Sequence, residues 1–245
     1  MSWCLRGYEV KYMNKRKLGI VDLTTRKVRI EDIPEGLIKR FLGGRGLNVY
    51  YLNKYLKNDT DPLSPDNVLL VGAGLLTGTL VPSSSRFSVG ALSPETGFLG
   101  DANCGGFFGP ELRYAGFDML IILGKAKKPS YLLVHDGRIE IRDATVYWGK
   151  DTTEAQQLFR RELGQCEMML CGVAGEKLVR FACVRTGIKN AAGRCGMGAV
   201  MGSKNLKAVV AQGSDGIKIK YPERMQKLVE EIKDYLFASK ITPIM

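Results

Sequence analysis

The 245 residues include 36 lysines and arginines against 25 aspartates and glutamates, a formal net charge of +11, with 45% hydrophobic and 25% charged side chains. These proportions are ordinary for a soluble globular protein, and the length can bury a sizeable core as one large domain or two small ones. No apolar run is long enough to cross a bilayer and residues 1–6 lack the apolar core of a secretory signal, so neither a membrane nor a secreted protein is expected, and a cytoplasmic one is.

Residues 1–16 are polar and basic and read as a tail. Apolar segments 18–23 and 28–30 flank Thr24 to Lys27 and predict an opening β-hairpin. A helix is expected over 34–42, where Leu37, Ile38, Phe41 and Leu42 recur at helical spacing. Gly43-Gly44-Arg45-Gly46 then interrupts it, and Leu47, Tyr50, Tyr51 and Tyr55 fit a second helix. Arg45 reads equally well as an anion contact and as a surface arginine.

The continuous apolar run 68–74 predicts a buried strand. After it comes a loop of glycines and hydroxyls, 76–86, closed by Arg86 just before a second strand, 87–92. Such a loop suits a phosphate or a flat anionic ligand, and a turn-rich connector looks the same. Residues 100–118 read as loop, short helix and buried strand lead-in, with Pro110 at the first helical position and Gly116 at the left-handed stop. Their free backbone N–H groups fit an anion, and a structural turn is the other reading.

Beyond the strand 119–123, segments 131–134 and 139–141 form a hairpin about Asp136-Gly137, a pair that supplies positive φ angles. A helix is expected over 153–163, strands over 168–173 and 179–185, and a loop over 172–176. Residues 190–211 then repeat the order of glycine loop, short helix and strand. Slid back by roughly ninety positions, Gly198 falls on Gly109, Met201 on Leu112, and Val209-Val210 on Leu120-Ile121. This predicts an internal duplication in which Asn103 and Ala191 face one shared ligand. An amphipathic helix over 222–236 follows.

The six cysteines, at 4, 104, 166, 171, 183 and 195, lack zinc-site or disulfide-framework spacing. Cys166, Cys171 and Cys183 read as buried thiols. The single histidine, His135, belongs to the hairpin turn, and no nucleophile-and-base or paired-carboxylate set can be assembled.

Five motifs occur in family order across about residues 18–213: Leu42-Gly43-Gly44-Arg45-Gly46-Leu47, Ala73-Gly74-Leu75-Leu76-Thr77-Gly78-Thr79, Asn103-Cys104-Gly105-Gly106-Phe107-Phe108-Gly109, Glu111 to Asp118, and Gly198 to Ala208. Together they resemble the N-terminal domain of the tungsten-containing aldehyde ferredoxin oxidoreductases. The resemblance implies an α+β fold of two β-sheets with flanking helices, a floor for a tungsten or molybdenum bis-pyranopterin. It implies that the main-chain carbonyls of Asn103 and Ala191 hold a Mg2+ bridging the pterin phosphates, a hard cation matched to oxygen ligands. Arg86 would lie between the pterin and a [4Fe-4S] cluster, with Gly105, Gly193 and Arg194 in the cofactor-contacting loops.

Two departures stand out. Asn190 occupies a position where many relatives carry an arginine, and the Cys-x2-Cys-x3-Cys cluster ligands have no counterpart here, so those ligands are expected outside this chain. Cys104 and Cys195 are not read as iron ligands. The expected organisation is a basic tail over 1–16, a pterin-binding domain over 17–215, and over 216–245 a helix with the start of a truncated or missing domain. The implied reaction is oxidation of an aldehyde to a carboxylic acid with ferredoxin as acceptor, no catalytic residue lying in this chain. The implied partners are the missing C-terminal domains or a separate subunit, ferredoxin, the aldehyde and a second copy in a homodimer, without nucleic acid or membrane. The alternative from the charge is a non-catalytic glycine-loop module for a nucleotide or nucleic acid.

Overall fold

The computed structural model describes residues 16–238. Residues 1–15 of the expected tail lie outside them. Arg16 is built into the domain: its Nε sits 3.0 Å from Asp118 Oδ1 and its Nη1 donates to Leu42 O at 2.8 Å. Among the described residues no helix is long and apolar enough to cross a membrane.

The first half runs β1 (Lys17–Asp22), β2 (Lys27–Asp32), α1 (Glu35–Phe41), α2 (Gly44–Tyr55), β3 (Leu69–Ala73), β4 (Phe87–Leu92), β5 (Leu99–Cys104), α3 (Phe108–Tyr114) and β6 (Met119–Leu123). The second half runs β7 (Ser130–His135), β8 (Arg138–Asp143), α4 (Thr152–Leu163), β9 (Glu167–Cys171), α5 (Val173–Glu176), β10 (Val184–Thr186), β11 (Asn190–Ala192), α6 (Met197–Ser203) and β12 (Leu206–Gln212), and α7 (Pro222–Ala238) follows. Each half closes one six-stranded sheet, ordered β2-β1-β6-β3-β4-β5 and β8-β7-β12-β9-β10-β11. The orders match strand for strand. In each sheet the first strand of the half runs parallel to the last, β1 with β6 and β7 with β12, and every other neighbour is antiparallel. The expected duplication is therefore a duplication of topology.

Local chemistry explains the shared turns. Asp136 and Gly137, at φ 41° and 76°, make the tight hairpin between β7 and β8. Gly116 (φ 94°) stops the chain after α3, and Asn205 (φ 53°) occupies the matching place after α6, its amide donating to Ala126 O at 2.7 Å.

The inner faces of the sheets pack on each other: Val71, Val89, Leu120 and Ile122 of one share a core with Leu132, Val134, Met169 and Val209 of the other. Phe108 and Leu112 of α3 and Met197 and Val200 of α6 fill the same core. Leu47, Tyr51 and Leu52 of α2 cover the outer face of the first sheet, and Ala155 and Phe159 of α4 cover that of the second. Each such fully buried aliphatic or aromatic side chain contributes about 1.5–3 kcal/mol.

Five local expectations change. Residues 100–104, read as loop, belong to strand β5, because Gly100, Ala102 and Cys104 point inward while Leu99, Asp101 and Asn103 point outward. Pro110 is the third residue of α3, still within the first turn, where a missing N–H costs nothing. The expected loop 172–176 contains α5, and the expected strand 179–185 shrinks to β10, because this segment packs backbone to backbone on α6: Gly198 N donates to Ala182 O at 2.8 Å. Cys183, expected to be buried, is half-buried, whereas Cys166 and Cys171 are enclosed.

Candidate cofactor-binding site at the seam of the two sheets

Strands β5 and β11 are the outermost strands of their sheets, and they lie against each other. Their registers coincide. On β5, Cys104 pairs with Phe87 and Asn103 with Ser88, the first two residues of β4. On β11, Ala192 pairs with Val184 and Ala191 with Arg185, the first two residues of β10. Asn103 and Ala191 thus occupy equivalent positions on two abutting edge strands. An edge strand keeps part of its main-chain donors and acceptors outside the ladder, available to a ligand.

Around this pair the side chains are polar and cationic. Arg86 Nη1 donates to Asn103 Oδ1, and Asn103 Nδ2 donates to Ser88 Oγ at 3.1 Å. Arg45, from the first turn of α2, reaches across to Asp101 with Nε 2.7 Å from Oδ2. Cys195 Sγ lies 3.8 Å from Asp101 O, which ties the second loop to the first. Arg185 donates to Ile188 O through Nη2, and its buried Nε finds no acceptor among the described residues. Burial pushes the Cys104 thiol up to about 11, against the pull of Arg86 and Arg185, so this thiol stays protonated at neutral pH.

The glycines leave the main chain approachable. A Cβ at Gly193 would meet nothing within 4 Å, and one at Gly105 only Asn190 Oδ1 at 3.9 Å. Gly106 (φ 96°) lies under the Asn190 amide, whose Nδ2 would be 3.0 Å from an added Cβ. Of the residues singled out by sequence, Arg86, Asn103, Gly105 and Ala191 come together at the seam. Gly193 and Arg194 are exposed on the turn after β11, with no bond to the other four among the described residues. His135 is engaged elsewhere, its Nε2 2.9 Å from Glu140 Oε1. The Arg45–Asp101 link and Arg185 were missed; alternation along 99–104 is the signal that puts Asp101 on the face of Asn103.

The donor set fits a phosphorylated ligand with a hard cation. Arginines and open glycines suit phosphate, and carbonyl oxygens suit Mg2+. Among the described residues no group of three or more histidine, cysteine, aspartate or glutamate side chains forms a metal site.

Fold and seam together define a duplicated α+β domain whose two edge strands meet at a polar, cationic, glycine-lined seam. The family model for "Aldehyde ferredoxin oxidoreductase, N-terminal domain" matches residues 18–213. The chain belongs to that family. It is 45% identical to the tungsten-containing aldehyde ferredoxin oxidoreductase of Pyrococcus furiosus, over 90% of this chain and 37% of that protein, and 42% identical to that of Thermococcus kodakarensis, over the same shares. An aliphatic sulfonate oxidoreductase, WOR-like subunit, of Pyrococcus furiosus is 40% identical over 93% of this chain and 39% of that protein. The solved active site complex BamBC of benzoyl coenzyme A reductase with 1,5-dienoyl-CoA superposes with a TM-score of 0.87 at 36% identity, covering 90% of this chain and 34% of that one. The chain thus spans well under half the length of these relatives.

Proposed function

We propose that this chain is the cofactor-binding floor of a tungsten- or molybdenum-dependent aldehyde oxidoreductase, completed by further domains or a separate subunit. The observation that carries the reading is the register match that sets Asn103 and Ala191 at equivalent points of two abutting edge strands. Their carbonyls would hold a Mg2+ that neutralises the pterin phosphates at the seam. Arg86 would lie against the pterin, its guanidinium oriented by Asn103; Gly105 and Gly193 would let the ligand reach the main chain, and Arg194 would neutralise phosphate from the turn after β11. The chemistry supplied by the bound metal is the two-electron oxidation of an aldehyde and water to a carboxylic acid, with electrons leaving through a [4Fe-4S] cluster to ferredoxin. This chain binds and orients; the proton chemistry and the cluster ligands belong to the rest of the enzyme. A cytoplasmic setting and a homodimer go with this reading.

The test is elemental and pterin analysis of the protein purified anaerobically with whatever co-purifies. Tungsten or molybdenum with magnesium and pterin phosphorus is expected. Absence of both metals, with salt-sensitive oligonucleotide binding in their place, would transfer the basic seam to nucleic acid.

A further inference from the structure

The Gly43-Gly44-Arg45-Gly46 elbow delivers a guanidinium to the seam. Helix α2 starts at Gly44 and lies on the outer face of the first sheet, where Asn48 donates from Nδ2 to Ser88 O at 3.1 Å. Gly72 and Gly90 allow that close approach, since a Cβ on Gly72 would come within 2.7 Å of Asn48 Oδ1 and one on Gly90 within 3.3 Å of Asn48 Cβ. Ser88 is the cross-strand partner of Asn103, so the helix is locked directly behind the candidate ligand-binding residue. One turn earlier Arg45 reaches Asp101, which pairs with Gly90 and shares the outward face of β5 with Asn103.

The form of the ion pair matters. Asp101 is nearly enclosed, at 12% side-chain exposure, while Arg45 is 68% exposed. The carboxylate takes only Nε, and neither terminal nitrogen of Arg45 has an acceptor among the described residues. A guanidinium held by Nε keeps both terminal nitrogens available for a two-pronged contact with an oxyanion. With Arg45 mostly in solvent the pair adds little stability, and its physical consequence is the orientation of the guanidinium.

We propose that Arg45 is a further phosphate-binding residue of the seam and that Asp101 is its positioning residue. The ligand class is a phosphate or diphosphate ester, and the proposal rests on the reading of the seam as a phosphate cradle. Asp101 taken alone repels an anion; its benefit comes only through the placement of Arg45.

The test is calorimetric titration of the 245-residue protein with magnesium pyrophosphate. R45A is expected to weaken binding about tenfold, and R45K to recover only part of that loss, because an ammonium lacks the fork. D101L is expected to weaken binding in the otherwise unchanged protein and to have no effect in the R45A background, a coupling that a mere loss of stability would not produce. Tighter binding by D101L, the result simple charge removal predicts, would overturn the positioning role. R86A reports on the cradle independently: if it weakens binding while R45A stays within about twofold of the parent, Arg45 is excluded and the cradle stands. If the parent protein binds no pyrophosphate, both fall. Should D101L not fold, R45A and R45K decide, since Arg45 is mostly solvent-exposed.

Discussion

Three buried charged residues set the limits of what this core tolerates. Lys207 and Glu176 form an ion pair at 0% and 3% side-chain exposure, and Lys207 also donates to Lys150 O at 2.8 Å. Removing one partner strands the other charge, so Glu176→Gln should cost about 3 kcal/mol or more in urea unfolding, whereas the exposed Lys128–Asp143 pair should cost under about 1 kcal/mol. Lys204 makes no ion pair among the described residues, Asp66 and Asp22 attracting it only from a distance; its ammonium donates to Asn67 O at 2.5 Å, Gly124 O at 3.0 Å and Pro65 O at 3.3 Å, fastening the turn after α6 to the first sheet. Burial pushes this lysine down to about 8 from 10.5. The unfolded chain keeps its proton up to about 10.5, so between pH 8 and that value the unfolded state binds more protons and stability rises with pH; below pH 8 both states are protonated and the burial cost is present in full. The difference in unfolding free energy between the parent and Lys204→Met should therefore grow in the parent's favour from pH 8 to 10, and a flat difference would contradict the assignment. None of this was legible in Ser203-Lys204-Asn205-Leu206-Lys207, because the partners that bury these lysines come from distant parts of the chain.

At the scale of elements, the long apolar runs were readable because burial on both faces writes itself as continuous hydrophobicity: β6 fell where expected, and β3 within a residue. Strand β5 was hidden because its inward residues are small or modest, Gly100, Ala102 and Cys104, and its outward ones polar. A three-residue strand such as β11 carries no periodicity, yet it holds Ala191. The α5–α6 contact was equally silent, since it rests on the missing side chains of Gly175 and Gly202. A Cβ on Gly202 would lie 1.9 Å from Gly175 O, a backbone atom that cannot move aside alone. Gly202→Ala should cost about 3 kcal/mol by driving α6 off α5, measured as a lowered denaturation midpoint. Gly193→Ala is the matching control: with nothing within 4 Å it should change stability by under about 0.5 kcal/mol, while the role proposed for this glycine predicts weaker ligand binding.

The molecule as a whole is two copies of one topology, joined at their edges so that equivalent strands meet. That arrangement was anticipated from the spacing of two glycine loops, while the register that aligns Asn103 with Ala191 needed the coordinates, because strand pairing is a long-range property that no local pattern encodes. A net charge of +11 is explained only in part by the seam arginines; the basic residues at 218, 220, 224 and 227 lie near or in α7, away from it in sequence. The most direct measurement of the central claim is a crystal structure of the metal-loaded protein, with anomalous data at the tungsten or molybdenum edge. A magnesium ion about 2.1 Å from the carbonyl oxygens of both Asn103 and Ala191, bridging two phosphates at the seam, is the expected result. Phosphate groups bound away from β5 and β11, or a cation held by side chains elsewhere, would contradict it.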